Sequence, residues 1–379
     1  MLIAAAILAI LVYGIIAAML GTLLPTFSFS GSQSGTIALA QSIGLVIASL
    51  SAGPIIDNRG KKTALVSGLF LIAAVLWTLP NVSEFGAVAF LLFVLGLGGG
   101  VIVTAANALV SDIGDKNRSM VLNFMNLFFG LGLMITPWVS ANVVNNDAKQ
   151  LCYLAAGLAT LTFVVHTLAK VPGPTGERGF KLSEAGEVLG KPALWLLAAF
   201  LFLYVACEVG VSNWLASYLI SKGIPKDEAL NIMALRFGLG LLIGRVAIAP
   251  VLIKVKPQLV LLGAAIAMAG TTYWMLQSPD ATQAGIAVFC AGLAMAPVFP
   301  TTLGMVGDAF PKATATAMGI VITCGWIGLT VSSPIIGSIA GENKENLPTA
   351  LLLFPAFSVV MVLINLALGA AMKKPQVAR

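Results

Sequence analysis

Glu208, Arg236 and Arg245 are ionisable side chains set deep inside long apolar runs. Leaving such a charge in hydrocarbon costs at least about 2.5 kcal/mol, so each demands a partner or a wetted space. Glu208 is nearly central in its run. Arg245 sits slightly off centre in the next one, offset by roughly 5 to 10 Å at about 1.5 Å per residue, a gap that an arginine side chain can mostly span. Arg236 and Arg245 are nine residues apart, about 180° around an unbent helix, so both cannot easily face one cavity. Arg245 is the candidate partner of Glu208, and Arg236 is a candidate for a network or gate nearer the opposite end.

A second set of side chains is neutral and polar. Thr104, Asn107 and Ser111 recur at spacings of three and four, as do Asn123, Asn126 and Gly130, which places each set on one face of a helix. Thr323, Trp326, Thr330 and Ser333 form another stripe. Amides both donate and accept, as each hydroxyl of a polyhydroxylated ligand does, and an indole face can stack on the apolar side of a pyranose ring. The alternative for the amides is bonding from helix to helix, and for Trp326 it is packing. Cys152, Cys207, Cys290 and Cys324 lie in apolar runs without paired spacing, so they read as packing residues and no metal site or cofactor is expected. His166 is the single histidine, and a packed or interfacial role is expected for it.

The elements that must position these groups are membrane helices. Hydrophobic residues make up 59% of the chain and charged residues 9%, a balance that excludes a soluble fold. Twelve apolar stretches run from Leu2 to Pro25 through to Leu347 to Met372, each holding about the 20 residues that a spanning helix needs. The first lacks a basic leader and a small-residue cleavage site, so it is read as a retained span. A constant shift of 196 residues lays Gly14 on Gly210, Gly44 on Gly240, Pro54 on Pro250, Gly96 on Gly292 and Asp112 on Asp308, the mark of a parallel duplication of six spans.

Basic residues fix the expected orientation. Arg59, Lys61, Lys62, Lys116, Arg118, Lys254, Lys256 and Lys312 share one set of alternate loops with the linker and the tail, while Lys149, Lys222, Lys226 and Lys344 fall in the other set. Both termini are therefore expected in the cytoplasm, and the net charge of +6 requires no nucleic acid. The expected organisation is a bundle over 1–171, a cytoplasmic linker over 172–191 and a second bundle over 192–379.

The loop after the second span reads Gly53-Pro54-Ile55-Ile56-Asp57-Asn58-Arg59-Gly60-Lys61-Lys62. Glycine permits a tight exit from the helix, and the acid can bridge to a neighbouring helix end whose amides attract a carboxylate. Here the chain resembles the major facilitator superfamily, whose loop signature has a glycine, an acid four residues on, then a glycine and a basic pair. Asn58 departs from it, standing where a basic residue is usual. The resemblance implies a gate, to which Asp57, Arg59, Asp112 and Arg118 are assigned with Arg236. The equivalent loop of the second half, Ile253 to Pro257, lacks the signature.

Three stretches are similar to the fucose/galactose/glucose symporter branch: Thr104 to Asn107; Arg118 with Asn123, Asn126 and Gly130; and Tyr204-Val205-Ala206-Cys207-Glu208 with Trp214 and Tyr218. Gly244-Arg245 resembles that branch's arginine site. The resemblance implies a monosaccharide substrate, with Asn107, Asn123, Asn126, Glu208 and Trp214 as contacts, to which the stripe in span eleven adds Thr323 and Trp326. Fucose-type members carry acids in spans one and four, whereas span one here has none and Val103 precedes Thr104. Coupling to protons or sodium would then fall to Glu208 with Arg245, or to the helix-end acids. Glu208 can equally be a fixed half of a buried pair or an acceptor for sugar.

The expectation is an all-α membrane protein of twelve spans in two pseudo-symmetric six-helix bundles. It would be a monomeric cell-membrane carrier working by alternating access. Export or import of an amphipathic or anionic compound, and uncoupled sugar uniport, remain alternatives. A channel or receptor belongs to a different class that counterflow in vesicles would separate, and no convergent His, Cys and acid set suggests an enzyme.

Overall fold

The computed structural model describes residues 2–23, 31–114, 118–145, 147–169, 186, 188–225, 228–229, 232–340 and 346–372. Most of the expected linker lies outside the described residues. Among those described there is no strand, as hydrocarbon requires of a chain whose backbone groups must bond within each segment.

Six long helices come first: α1 (Leu2–Leu23), α2 (Gly31–Arg59), α3 (Lys61–Thr78), α4 (Phe85–Gly114), α5 (Arg118–Asn142) and α6 (Ala148–Leu168). They are followed by α7 (Pro192–Ser221), a π-helical stretch Ile232–Phe237, α8 (Gly238–Lys254) and α9 (Pro257–Gln277). The tenth span is broken into α10 (Ala281–Met295) and α11 (Val298–Ala309). Next comes α12 (Thr314–Ala340), and the last span is split into α13 (Leu347–Leu351) and α14 (Leu353–Met372). Among the described residues eleven helical stretches are long and apolar enough to cross a membrane, and α1 adds a shorter apolar core over Ala4–Leu20. Side chains such as Phe90, at 63% exposure, face outward, where lipid rather than water makes their exposure favourable.

The chain sorts into two compact units. One comprises Met1–Arg118, Phe124–Ala185 and Phe310–Thr323; the other comprises Ser119–Asn123, Gly186–Ala309 and Cys324–Arg379.

In the first unit α2 packs on α4 through glycines. A Cβ on Gly44 would strike the carbonyl oxygen of Phe93, and one on Gly96 would strike that of Gln41. In the second unit the same contacts recur: Gly240 against the carbonyl of Phe289, and Gly292 against that of Phe237. All four positions obey the shift of 196, so the duplication read in sequence survives as a duplicated helix seam. One pair of small residues is exchanged across the repeat. Gly100 faces Ala48 in the first unit, whereas Gly244 faces Ala296 in the second.

Two glycines of the loop after span two act differently from the expectation. Helix α2 runs on through Pro54 to Arg59, so Gly53 is helical, and a Cβ there would lie 2.6 Å from the Cα of Thr316. The turn is made at Gly60, whose φ of 88° suits glycine. His166 is fully buried, with Nδ1 2.8 Å from the carbonyl oxygen of Thr162. Cys152 and Cys207 are buried, Cys290 and Cys324 are partly so, and all four are free thiols.

Candidate functional site

Helix α7 carries Glu208 about half-way along its length, and α8 carries Arg245. The structure brings the two together: Nη2 of Arg245 is 3.8 Å from Oε1 of Glu208, with side chains 3% and 15% exposed. That separation is an ion pair but exceeds hydrogen-bond length, so a ligand hydroxyl placed beside the two charges can bond to both. Arg236 lies elsewhere. It is exposed, on the π-helical stretch, with its side chain beside Gly285 of α10. A nine-residue separation gives opposite faces only in an unbroken α-helix, and the π turn at Ile232–Phe237 changes that angle.

Tyr204 lies one turn before Glu208 and is fully buried. Its hydroxyl donates to the carbonyl oxygen of Met295 at 2.9 Å. Met295 ends α10, where the last carbonyls lack amides of their own helix. The interruption follows from Pro297 and Pro300, neither of which supplies an N–H.

The amide stripes divide into two kinds. Asn107 and Asn126 bond to each other from α4 to α5, Nδ2 of Asn126 donating to Oδ1 of Asn107 at 3.0 Å, while Nδ2 of Asn107 donates to the carbonyl of Val103 at 2.7 Å. Asn123 donates to the carbonyl of Ser119 at 2.8 Å and to Oγ1 of Thr301 at 3.1 Å. Its Oδ1 is buried with no hydrogen-bond partner, as are Oγ1 of Thr323 and the indole nitrogens of Trp214 and Trp326. These groups keep bonding capacity that a polar ligand can use.

Near the end of α2, one carboxylate oxygen of Asp57 accepts from the Thr316 amide at 3.0 Å and from the Thr316 hydroxyl at 2.6 Å. Thr316 is in the first turn of α12, where the amides are orphaned and the helix dipole favours an anion. Lys61 pairs with Asp112 at 2.7 Å, the side chains 6% and 19% exposed. Asn58 folds back, donating to the carbonyl of Pro54 at 3.0 Å. Arg59 is exposed, and Arg118 opens α5 partly buried.

Sequence reasoning did not assign roles to Lys61, Thr301, Thr316 or the Tyr204 hydroxyl. The spacing of Lys61 after Asp57 was a usable signal. Thr316 and Thr301 offered none, since their partners come from distant parts of the chain. Among the described residues no group of three His, Cys, Asp or Glu side chains is arranged to hold a metal.

Comparison with known proteins gives a consistent picture. The model of the Major Facilitator Superfamily matches residues 2–333. The protein called Bypass of stop codon protein 6, from Saccharomyces cerevisiae, is 24% identical over 366 residues, covering 86% of this chain and 73% of the relative. The 4-hydroxybenzoate transporter PcaK of Pseudomonas aeruginosa is 24% identical over 380 residues, covering 87% and 83%. Among solved structures, the fucose:proton symporter FucP of E. coli superposes with a TM-score of 0.82 at 19% identity, covering 97% of this chain and 98% of its own.

Proposed function

This chain belongs to the Major Facilitator Superfamily, and from that premise we propose that it is a secondary transporter carrying a monosaccharide across a cell membrane by alternating access. The observation that carries the reading is the Glu208–Arg245 pair, buried in apolar helices yet held at 3.8 Å. Two opposite charges give the place no net charge, and their spacing suits a neutral solute rich in hydroxyls, each of which can donate to the acid and accept from the guanidinium. The unspent acceptor of Asn123 and the indole donors of Trp214 and Trp326 support the same chemistry. FucP, one of the fold neighbours, is a fucose:proton symporter.

Transport is coupled to protons or sodium through Glu208 in this reading, with both termini in the cytoplasm as the distribution of Lys and Arg favours. The bundles 1–171 and 192–379, joined by 172–191, are the moving parts.

A second reading has its own support. PcaK is a 4-hydroxybenzoate transporter, and an aromatic carboxylate would pair with Arg245 in competition with Glu208. A thermal-shift screen of purified protein against monosaccharides and aromatic carboxylates separates the two, followed by counterflow of the stabilising compound in proteoliposomes. A sugar that both stabilises the protein and exchanges supports the first reading. Stabilisation and exchange by carboxylates alone would overturn it.

A further inference from the structure

A phenol has one proton to give, and Tyr204 stands between two acceptors. The Met295 carbonyl takes that proton at 2.9 Å. The Glu208 carboxyl, one turn along the same helix, is within interaction reach of the same oxygen. The ionisable groups facing Tyr204 are Glu208, Arg245 and Cys207, and the Cys207 thiol is engaged with the carbonyl of Phe354 at 3.6 Å. Two arrangements follow. When Glu208 carries a proton, its own O–H donates to the phenol oxygen and the phenol keeps Met295, so the carboxyl, the phenol and the Met295 carbonyl are all bonded. When Glu208 is ionised, the carboxylate is the stronger, charge-assisted acceptor. It draws the phenol O–H to itself, and the Met295 carbonyl is left bare where α10 stops and α11 begins.

We propose that Tyr204 is a positioning residue that relays the charge state of Glu208 to the helix break at Met295–Val298. A proton on Glu208 holds the break closed through Tyr204, and loss of that proton releases it. The proposal rests on the reading of Glu208 as the coupling acid. No bond other than hydrogen bonds changes, and the only proton gained or lost is that of Glu208. Span ten is thereby given a trigger: its two prolines remove the amides that would otherwise hold the segment rigid, so one hydroxyl decides how firmly the end of α10 is tied.

The test is hydrogen exchange of the peptide spanning Leu293 to Leu303, measured on the full chain in nanodiscs across pH and corrected for intrinsic exchange. Wild type is expected to exchange about two- to tenfold faster at high pH than at low pH, the worth of one neutral hydrogen bond. Glu208→Gln, which still donates to the phenol, should stay protected throughout. Tyr204→Phe, which keeps the ring, should exchange fast at every pH, and a thermal melt near that of wild type establishes that it folds. If Tyr204→Phe retains the pH response while Glu208→Gln loses it, the relay is wrong and the coupling acid stands. If Glu208→Gln retains the response, a different group titrates and both ideas fall. A wild type with no pH response overturns the relay alone, provided that Glu208→Gln still abolishes uphill transport.

Discussion

Asp57 and Thr316 stand 259 positions apart in sequence, yet a single carboxylate oxygen of the first holds both the amide and the hydroxyl of the second. Hydrogen bonds to a charged group contribute about 1.5 to 3 kcal/mol. Asp57→Ala is therefore expected to speed exchange of the first-turn amides of α12 by about tenfold or more. Thr316→Ala removes only the hydroxyl bond and should have the smaller effect. Equal exchange in wild type and Asp57→Ala would mean that the contact is not held in the membrane.

Glu208 is tested most directly by Glu208→Gln, which preserves shape and hydrogen bonding but removes titration. We expect the variant to lose uphill accumulation in proteoliposomes and to keep exchange of solute across the membrane. Accumulation that persists under an imposed proton or sodium gradient would show that Glu208 is not the coupling residue.

The two amides of α5 should behave differently from one another. Asn123 keeps an unbonded buried acceptor, so Asn123→Ala should weaken sugar binding by roughly 1 to 3 kcal/mol, about fivefold to over a hundredfold in affinity. Asn126 already bonds to Asn107, so Asn126→Ala should also lower thermal stability, by about 0.6 to 1.7 kcal/mol as for other interhelical bonds in membranes. Calorimetry with a confirmed ligand decides the first point, and unchanged affinity in both variants would make the stripe structural.

The repeated glycine seam makes a paired prediction. Gly44→Ala and Gly240→Ala each drive a methyl into a carbonyl oxygen at equivalent positions, and overpacking of this kind costs typically about 1 to 3 kcal/mol. Both should melt lower by similar amounts, whereas Gly263→Ala, with nothing within 4 Å of the added Cβ, should not. A large loss at Gly263 would count against the packing described.

Glu84, in the turn before α4, accepts from the amides of Gly86 at 2.8 Å and Ala87 at 2.7 Å. These bonds hold its carboxyl below the usual glutamate range. A group whose folded value is depressed stabilises the fold above its unfolded value and loses that contribution as pH falls through the folded one. Stability should thus decline in acid below about pH 4.3, and Glu84→Gln should flatten this part of the profile. Identical acid melting curves for the two proteins would rule the cap out as a contributor.

Much of the fold was legible because lipid constrains nearly every residue of a spanning helix, and twelve apolar runs with a fixed repeat leave few arrangements. The Glu208–Arg245 pair was legible for a related reason: a charge in hydrocarbon must find its opposite, and the arginine side chain is long enough to span most of the offset between them. Other features left weaker traces. The partner of Asp57 is an ordinary threonine at the start of a distant helix, and nothing local distinguishes it. The bond from Tyr204 to Met295 uses a backbone carbonyl, which every residue possesses. The π-helical turn that carries Arg236 alters the angular bookkeeping, and no composition signal announces it. Gly53 and Gly60 could not be told apart by type, because close approach and a left-handed turn both require the missing Cβ.

The Ala48–Gly100 and Gly244–Ala296 contacts show which quantity the two copies of the duplicated segment have kept. Each pair spends one methyl group, but on opposite partners, so after duplication the allowance belonged to the contact and not to either position. A copy could therefore drift by trading the methyl across the seam while preserving helix separation. Converting Ala48 to Gly and Gly100 to Ala together would write the second copy's solution into the first.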